Sequence, residues 1–436
     1  MNHVPARSIA RACVVSLCVL VAVVVAAASV PTGTAEDTGF SAERLQRIHE
    51  VMKRYIDGGQ ISGAVTLVAR RGRIAHFDAH GLLDLESKKP VPKDAIFRLA
   101  STSKPITGVA VMMLVEEGKI RLNDPVASYI PELKGLKVAI PRPSPGGQPA
   151  AAGGRGGRGG AAAVLVDFVT ATRDITIRDL LTHTSGLVSG GVASAEANKV
   201  MQTRKPTESL ADFIPRLGTV PLDFQPGTEW RYSGLAGFDT LGRIVEIASG
   251  QPYDQFLRRR IFDPLGMKDT GFYLPDDRTA RLMTLYQRME NRLARAENQS
   301  GLSSKTYFSG AGGLMSTAED YLQFAQMLLN GGTLNGKRLL GPRTVEFMTA
   351  PSHSGALFAA NPGRGGLGFG LSVEVVQDNV RALRLTSNGS FGWDGAYGTH
   401  FWIDPKEQLV GIVFIQTATP GLARDFENGV MQAIVN

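Results

Sequence analysis

Ser101-Thr102-Ser103-Lys104 constrains this chain more than any other stretch. Residues three apart are neighbours on one face of a helix, so a helical segment here sets a hydroxyl beside an amine. The spacing predicts a helix from Ser101 to about residue 117. Ile106, Val109, Ala110, Met113 and Leu114 recur at helical intervals, and Gly118 supplies a stop. Pro105 is tolerated only in a first turn, which puts Ser101 at the N-terminal end, where the dipole and unpaired N–H groups favour developing negative charge. Taken alone, one Ser-x-x-Lys is about what chance provides in 436 residues. An N-capping Ser101 with a solvated Lys104 accounts for it equally well.

Three further segments give it context. Pro226-Gly227-Thr228-Glu229-Trp230-Arg231-Tyr232-Ser233-Gly234 places Tyr232 after a Pro-Gly turn and ahead of an apolar helix, Leu235 to Ala248. His183-Thr184-Ser185-Gly186-Leu187 is a compact turn. Gly389 to Thr399 is a Gly-rich run containing Trp393-Asp394-Gly395-Ala396, and it feeds predicted strands at His400 to Ile403 and Leu409 to Gln416. With these segments in this order, residues 41–436 resemble the serine beta-lactamase and penicillin-binding superfamily, in its class C and family VIII esterase branch. The resemblance implies Ser101 as nucleophile and Lys104 with Tyr232 as the groups that take and relay its proton, in either order. It also implies backbone N–H groups of Ser101 and Ala396 as oxyanion donors, with Trp393, Asp394, Gly395 and Gly234 lining the substrate.

Two departures from that pattern bear on substrate. Gly234 stands where beta-lactamases carry an Asn, and Trp393-Asp394 stands where they carry a Lys or His. An anionic beta-lactam loses an amide contact and a cationic contact, whereas a neutral ester needs neither. The expected activity is therefore acyl transfer from carboxyl esters, as esterase or acyltransferase, on a small-molecule ester or amide. The alternatives are a beta-lactamase or D-amino-acid peptidase, and a catalytically silent binding protein on this fold.

The amino terminus carries Arg7 and Arg11, an uncharged run from Ala12 to Val30, and small residues ending at Ala35. It is expected to be a signal peptide over residues 1–35, with export to the periplasm or medium. Left uncleaved, it is the one expected route to membrane attachment. Cys13 and Cys18 both fall inside it, so cleavage leaves no disulfide and no thiolate nucleophile. Lys and Arg number 47 against 40 Asp and Glu, a mild excess without a concentrated basic face, and no nucleic-acid partner is expected.

Gly63 to Val68 and Arg73 to His80 alternate as a hairpin; strands are also expected at Gly370 to Val376 and Ala382 to Thr386. Helices are expected at Phe40 to Asp57, Ile175 to Leu181, Leu210 to Leu217, Tyr253 to Ile261, Ala318 to Leu329 and Ala423 to Val435. The fold class is α/β (α+β), an antiparallel sheet flanked by helices with an inserted all-helical domain. The expected division is 36–110 with 305–436 for the sheet domain and 111–304 for the helical one. A Gly- and Arg-rich insertion at 141–163 is too poor in apolar residues to build a core. His76, Asp78 and His80 share one strand face, but without a His-Glu-x-x-His motif the expectation is no metal and no cofactor. His183 reads as structural, bonded to the turn at Thr184 to Gly186.

Overall fold

The computed structural model describes residues 30–142, 165–290 and 292–436. Short apolar runs near both ends of the chain, the central ones buried on both faces, build one eight-stranded antiparallel sheet. Its strands are β1 (Gly63–Arg70), β2 (Arg73–Asp84), β3 (Lys89–Pro90), β4 (Leu367–Phe369), β5 (Glu374–Val376), β6 (Phe391–Asp394), β7 (His400–Asp404) and β8 (Leu409–Phe414), in the order β4-β5-β6-β7-β8-β1-β2-β3. The central pair is registered from Val65 opposite Phe414 to Arg70 opposite Leu409. Val65, Leu67, Ala69, Val410, Ile412 and Phe414 face one core; Ala64, Val68, Leu409 and Val413 face the other.

Six helices matter for the site: α1 (Ala42–Asp57), α2 (Lys104–Glu116), α3 (Ile177–Leu181), α4 (Ala236–Ser249), α5 (Ala318–Leu329) and α6 (Leu422–Gln432). Leu45, Ile48 and Met52 of α1 cover one sheet face with Phe426 and Val430 of α6. On the other face α5 packs on β8 and β1, and α2 lies against α4. Helix α2 is buried on every side from Lys104 to Leu114, which explains why its sequence is apolar all round rather than striped.

Several expectations are corrected. The Ser101 helix begins only at Lys104, preceded by a 3₁₀ turn over Ala100–Ser103. Pro105 has no N–H to reach the Ser101 carbonyl, so the Lys104 N–H takes it and tightens the turn. Pro215 likewise ends an α-helix at Phe213 and leaves Ile214–Thr219 as 3₁₀. Ala382 to Thr386 is a turn, not a strand. Leu383 has φ of +54° and lies exposed, while Arg384 is drawn inward to Glu374 and Glu427. The Gly-rich run holds a strand of its own, β6. Gly392 permits it, because a Cβ there would stand 2.1 Å from the Phe401 carbonyl oxygen on β7.

The middle of the chain also carries two small hairpins. Lys137–Pro141 pairs with Val166–Thr170, and Tyr286–Arg288 with Leu293–Arg295. The first hairpin brackets the Gly- and Arg-rich insertion, whose residues 143–163 lie outside the described ones, as do residues 1–29 with Cys13 and Cys18. Residues 30–35, placed in the leader by the sequence, are folded. Thr32 bridges Ile74, and Ile74 N donates to Pro31 O at 2.8 Å.

Candidate active site

The site forms where the 3₁₀ turn, the segment ahead of α4 and the end of β6 meet. Ala100 adopts φ of +48°, uncommon for a residue with a Cβ, and this turns the chain from the buried Leu99 into Ser101. Gly395 packs directly on that approach: a Cβ there would lie 2.3 Å from Leu99 O and 2.0 Å from Thr399 Oγ1. Thr399 Oγ1 and Thr102 Oγ1 each donate to Leu99 O at 2.7 Å, fastening β6 and β7 to the turn. Gly395 N donates to Thr399 O at 2.7 Å and Gly398 N to Gly395 O at 2.9 Å, so Ala396 rides on a closed loop whose Gly395 abuts Leu99.

Ser101 Oγ lies 2.6 Å from Tyr232 Oη and 3.2 Å from Lys104 Nζ. Lys104 is 1% exposed. Its other two hydrogen bonds go to the carbonyls of Gly234 and Ala311, both at 2.8 Å; its amine also lies over the Tyr232 and Phe238 rings, and among the described residues no carboxylate comes within 4 Å of it. A carbonyl only accepts, so two N–H groups are committed in either protonation state. The third position faces Ser101, as an N–H when charged and as a lone pair when neutral.

Tyr232 is held from behind by His183. Ser233 N donates to His183 Nδ1 at 3.2 Å, Arg231 N donates to His183 O at 3.1 Å, and the imidazole sits 4.6 Å from the Tyr232 ring. Its partner is thus Ser233 rather than the turn at Thr184 to Gly186. Burial first, and Lys104 second, push the His183 pKa well below its ordinary value, so the ring is neutral. The ring packs among Trp230, Tyr232, Phe238 and Phe369.

Trp393 stands 5.7 Å from the Tyr232 ring and 5.1 Å from Phe369, walling the site. Asp394 does not join it. Neighbouring residues of a strand point to opposite faces, so its carboxylate turns away and binds His400 Nδ1 at 2.6 Å. Gly234 contributes its carbonyl to Lys104, and a Cβ there would meet nothing within 4 Å.

Two contributors escape a reading of the sequence. Ala311 reaches Lys104 through a backbone carbonyl, which carries no residue signature. Asp239, buried in α4, holds that loop: its Oδ1 accepts from Ser309 Oγ at 2.6 Å and Ala311 N at 3.1 Å, and its Oδ2 from Tyr307 Oη at 2.9 Å. Burial raises its pKa, against those hydrogen bonds. A lone acid within Phe238-Asp239-Thr240-Leu241, and the Gly-rich Ser309 to Gly313, are the signals available in sequence. Next to the turn, a cavity of about 320 Å³ is lined by Arg98, Phe272, Tyr273, Leu282 and Met315 among others.

This fold and site define a serine hydrolase of the penicillin-recognising type. A family model described as Beta-lactamase matches residues 48–435, and the chain belongs to that family. It is 31% identical over 402 residues to the lovastatin esterase of Penicillium rubens, covering 84% of this chain and 91% of that one. It is 29% identical over 419 residues to Esterase EstB of Burkholderia gladioli, covering 90% and 95%. Among solved structures it matches EstCE1, described as a hydrolase with promiscuous acyltransferase activity, with TM-score 0.72, 27% identity, and coverage of 90% of this chain and 99% of that one.

Proposed function

We propose that the chain is an exported carboxyl-ester hydrolase or acyltransferase that works through an acyl-enzyme on Ser101. The observation that carries this is the placement of one Oγ between Tyr232 Oη at 2.6 Å and Lys104 Nζ at 3.2 Å. In the first half-reaction Oγ bonds to the ester carbonyl carbon and its proton passes to the Lys104–Tyr232 pair. The oxyanion is held by the N–H groups of Ser101 and Ala396. Collapse breaks the carbon–oxygen bond to the alcohol, and Tyr232 returns a proton to it. Water or a second alcohol then attacks the acyl group, losing its proton to the same pair and freeing Ser101.

Trp393, packed on Tyr232 and Phe369, favours an apolar group, and the lack of an amide at position 234 disfavours an acylamino side chain. Supporting this reading, the relatives named above include two called esterases and one described as a hydrolase with acyltransferase activity. Export rests on the basic start and apolar run. Cleavage ahead of Val30, after the small residues Ala26-Ala27-Ala28, would keep the bridge between Thr32 and Ile74. Steady-state turnover of short-chain p-nitrophenyl esters against a chromogenic cephalosporin tests the substrate class. Esters should win by a wide margin in kcat/KM; faster cephalosporin turnover would make the enzyme a beta-lactamase instead.

A further inference from the structure

Across the sheet from Ser101, α1 covers a strip of polar residues where an apolar one would pack better. Thr66 on β1 lies directly opposite Asp78 on β2, with Val68 opposite His76 and Ala64 opposite His80. The Thr66 hydroxyl sits between the two imidazoles, 2.8 Å from His76 Nε2 and 2.9 Å from His80 Nε2. Above them His49 of α1 brings Nδ1 to 4.0 Å from Asp78 Oδ2 and its ring to 5.3 Å from that of His80. Four polar side chains beneath a helix are costly unless something completes their pairing.

What is left incomplete is specific. His80 is 4% exposed, and its Nδ1 has no hydrogen-bond partner. Thr66 owns one proton, so it donates to one imidazole and accepts from the other. If it accepts from His76, His80 must carry its proton on Nδ1, a buried donor facing no acceptor, which costs about 1–3 kcal/mol. If it accepts from His80 Nε2–H and donates to His76, His80 Nδ1 is a bare lone pair. The second arrangement is the one in which metal-binding histidines are commonly held, the far N–H fixed by an outer partner. His49, Asp78 and His80 each offer a ligand atom, all within 4.8 Å of one another.

We infer that His49, Asp78 and His80 form a site for a divalent first-row transition-metal ion, oriented by the Thr66–His76 relay and open to water at its remaining positions. Two imidazoles and one carboxylate suit zinc, nickel or copper rather than calcium or magnesium. Ligand atoms around a tetrahedral ion with bonds of about 2.0–2.1 Å lie roughly 3.3–3.5 Å apart, so the site must close by about an ångström. His49 and Asp78 supply that movement, with side chains 58% and 42% exposed.

The test uses untagged protein, stripped with a chelator and titrated with ZnCl₂ by calorimetry, with ester turnover as a check on folding. Wild type should bind one zinc and gain melting temperature that EDTA removes. His49→Ala and Asp78→Asn should each weaken zinc binding at least tenfold while leaving ester turnover unchanged. Thr66→Val, which breaks the relay and leaves every ligand, should weaken it by about 10–100-fold. Absence of binding by wild type at tenfold molar excess overturns the inference. So does undiminished binding by both His49→Ala and Asp78→Asn, which would place the zinc elsewhere.

Discussion

Strand β6 separates two polar clusters that handle charge in opposite ways. On the face bearing Trp393, the Lys104 amine is surrounded by a hydroxyl and two neutral carbonyls. On the face bearing Asp394, charges are matched densely. His400 lies between Asp394 at 2.6 Å and Glu427 at 3.1 Å; Arg384 joins Glu427 to Glu374; Arg364 and Arg424 complete the set. Burial alone would lower the His400 pKa, but the two carboxylates hold it up at about 9. Those carboxylates lock His400 as an imidazolium, whereas no carboxylate lies within 4 Å of the Lys104 amine among the described residues. The comparison teaches that the unmatched cluster is built to move a proton and the matched one to hold β6 in place.

If that contrast is right, the largest effect belongs to the unmatched side. Lys104→Met, similar in length but unable to accept a proton, should reduce kcat/KM for a p-nitrophenyl ester by roughly 10²–10⁴ with native circular dichroism. A loss below tenfold would leave the amine without a role in proton transfer.

On the matched side the effect should fall on stability. Glu427→Gln leaves His400, Arg384 and Arg424 short of an anion, and removing one partner of a buried pair typically costs about 3–5 kcal/mol. The pH dependence sharpens this. A histidine whose folded pKa is about 9, against an ordinary 6.5, stabilises fully below pH 6.5 and loses that contribution as pH rises through about 9. Urea midpoints at pH 6 and 9.5 should therefore differ more in wild type than in Glu427→Gln; equal differences would unseat the cluster as the cause.

A smaller effect is expected in selectivity. Gly234→Asn with Trp393→Lys restores the two contacts a beta-lactam acid would use, and Gly234 has open space for the side chain. The ratio of cephalosporin to ester kcat/KM should rise by about one to two decades, the equivalent of one charged hydrogen bond of roughly 1.5–3 kcal/mol. An unmoved ratio would assign discrimination to the cavity beside Arg98 instead. Smallest of all, replacing residues 146–161 by a short Gly-Ser linker should leave the melting temperature nearly unchanged, because its ends are already joined by the hairpin Lys137–Pro141/Val166–Thr170. A large drop would mean the insertion packs.

How far the sequence discloses these arrangements depends on whether a feature is local. That Ser101 and Lys104 meet is readable because they stand three residues apart, Tyr232 because its segment resembles a family motif, and the central strands β1 and β8 because they are short, nearly continuous apolar runs. Asp394 is misread as lining the substrate because motif adjacency does not say which face of a strand a residue occupies. Ala311 and Asp239 are invisible for a different reason: one acts through its backbone and the other through a loop some seventy residues away. The turn at Ala382 to Thr386 alternates like a strand, yet Arg384 pairing with distant carboxylates decides its course.

The central claim is that Ser101 alone forms the covalent bond. Labelling the protein with a fluorophosphonate and mapping the modified peptide by mass spectrometry tests it directly. The adduct should lie on Ser101 at one equivalent, and Ser101→Ala should abolish both labelling and ester turnover without lowering the melting temperature. Stoichiometric labelling of Ser101→Ala at another serine, such as Ser185 or Ser233, would contradict the account.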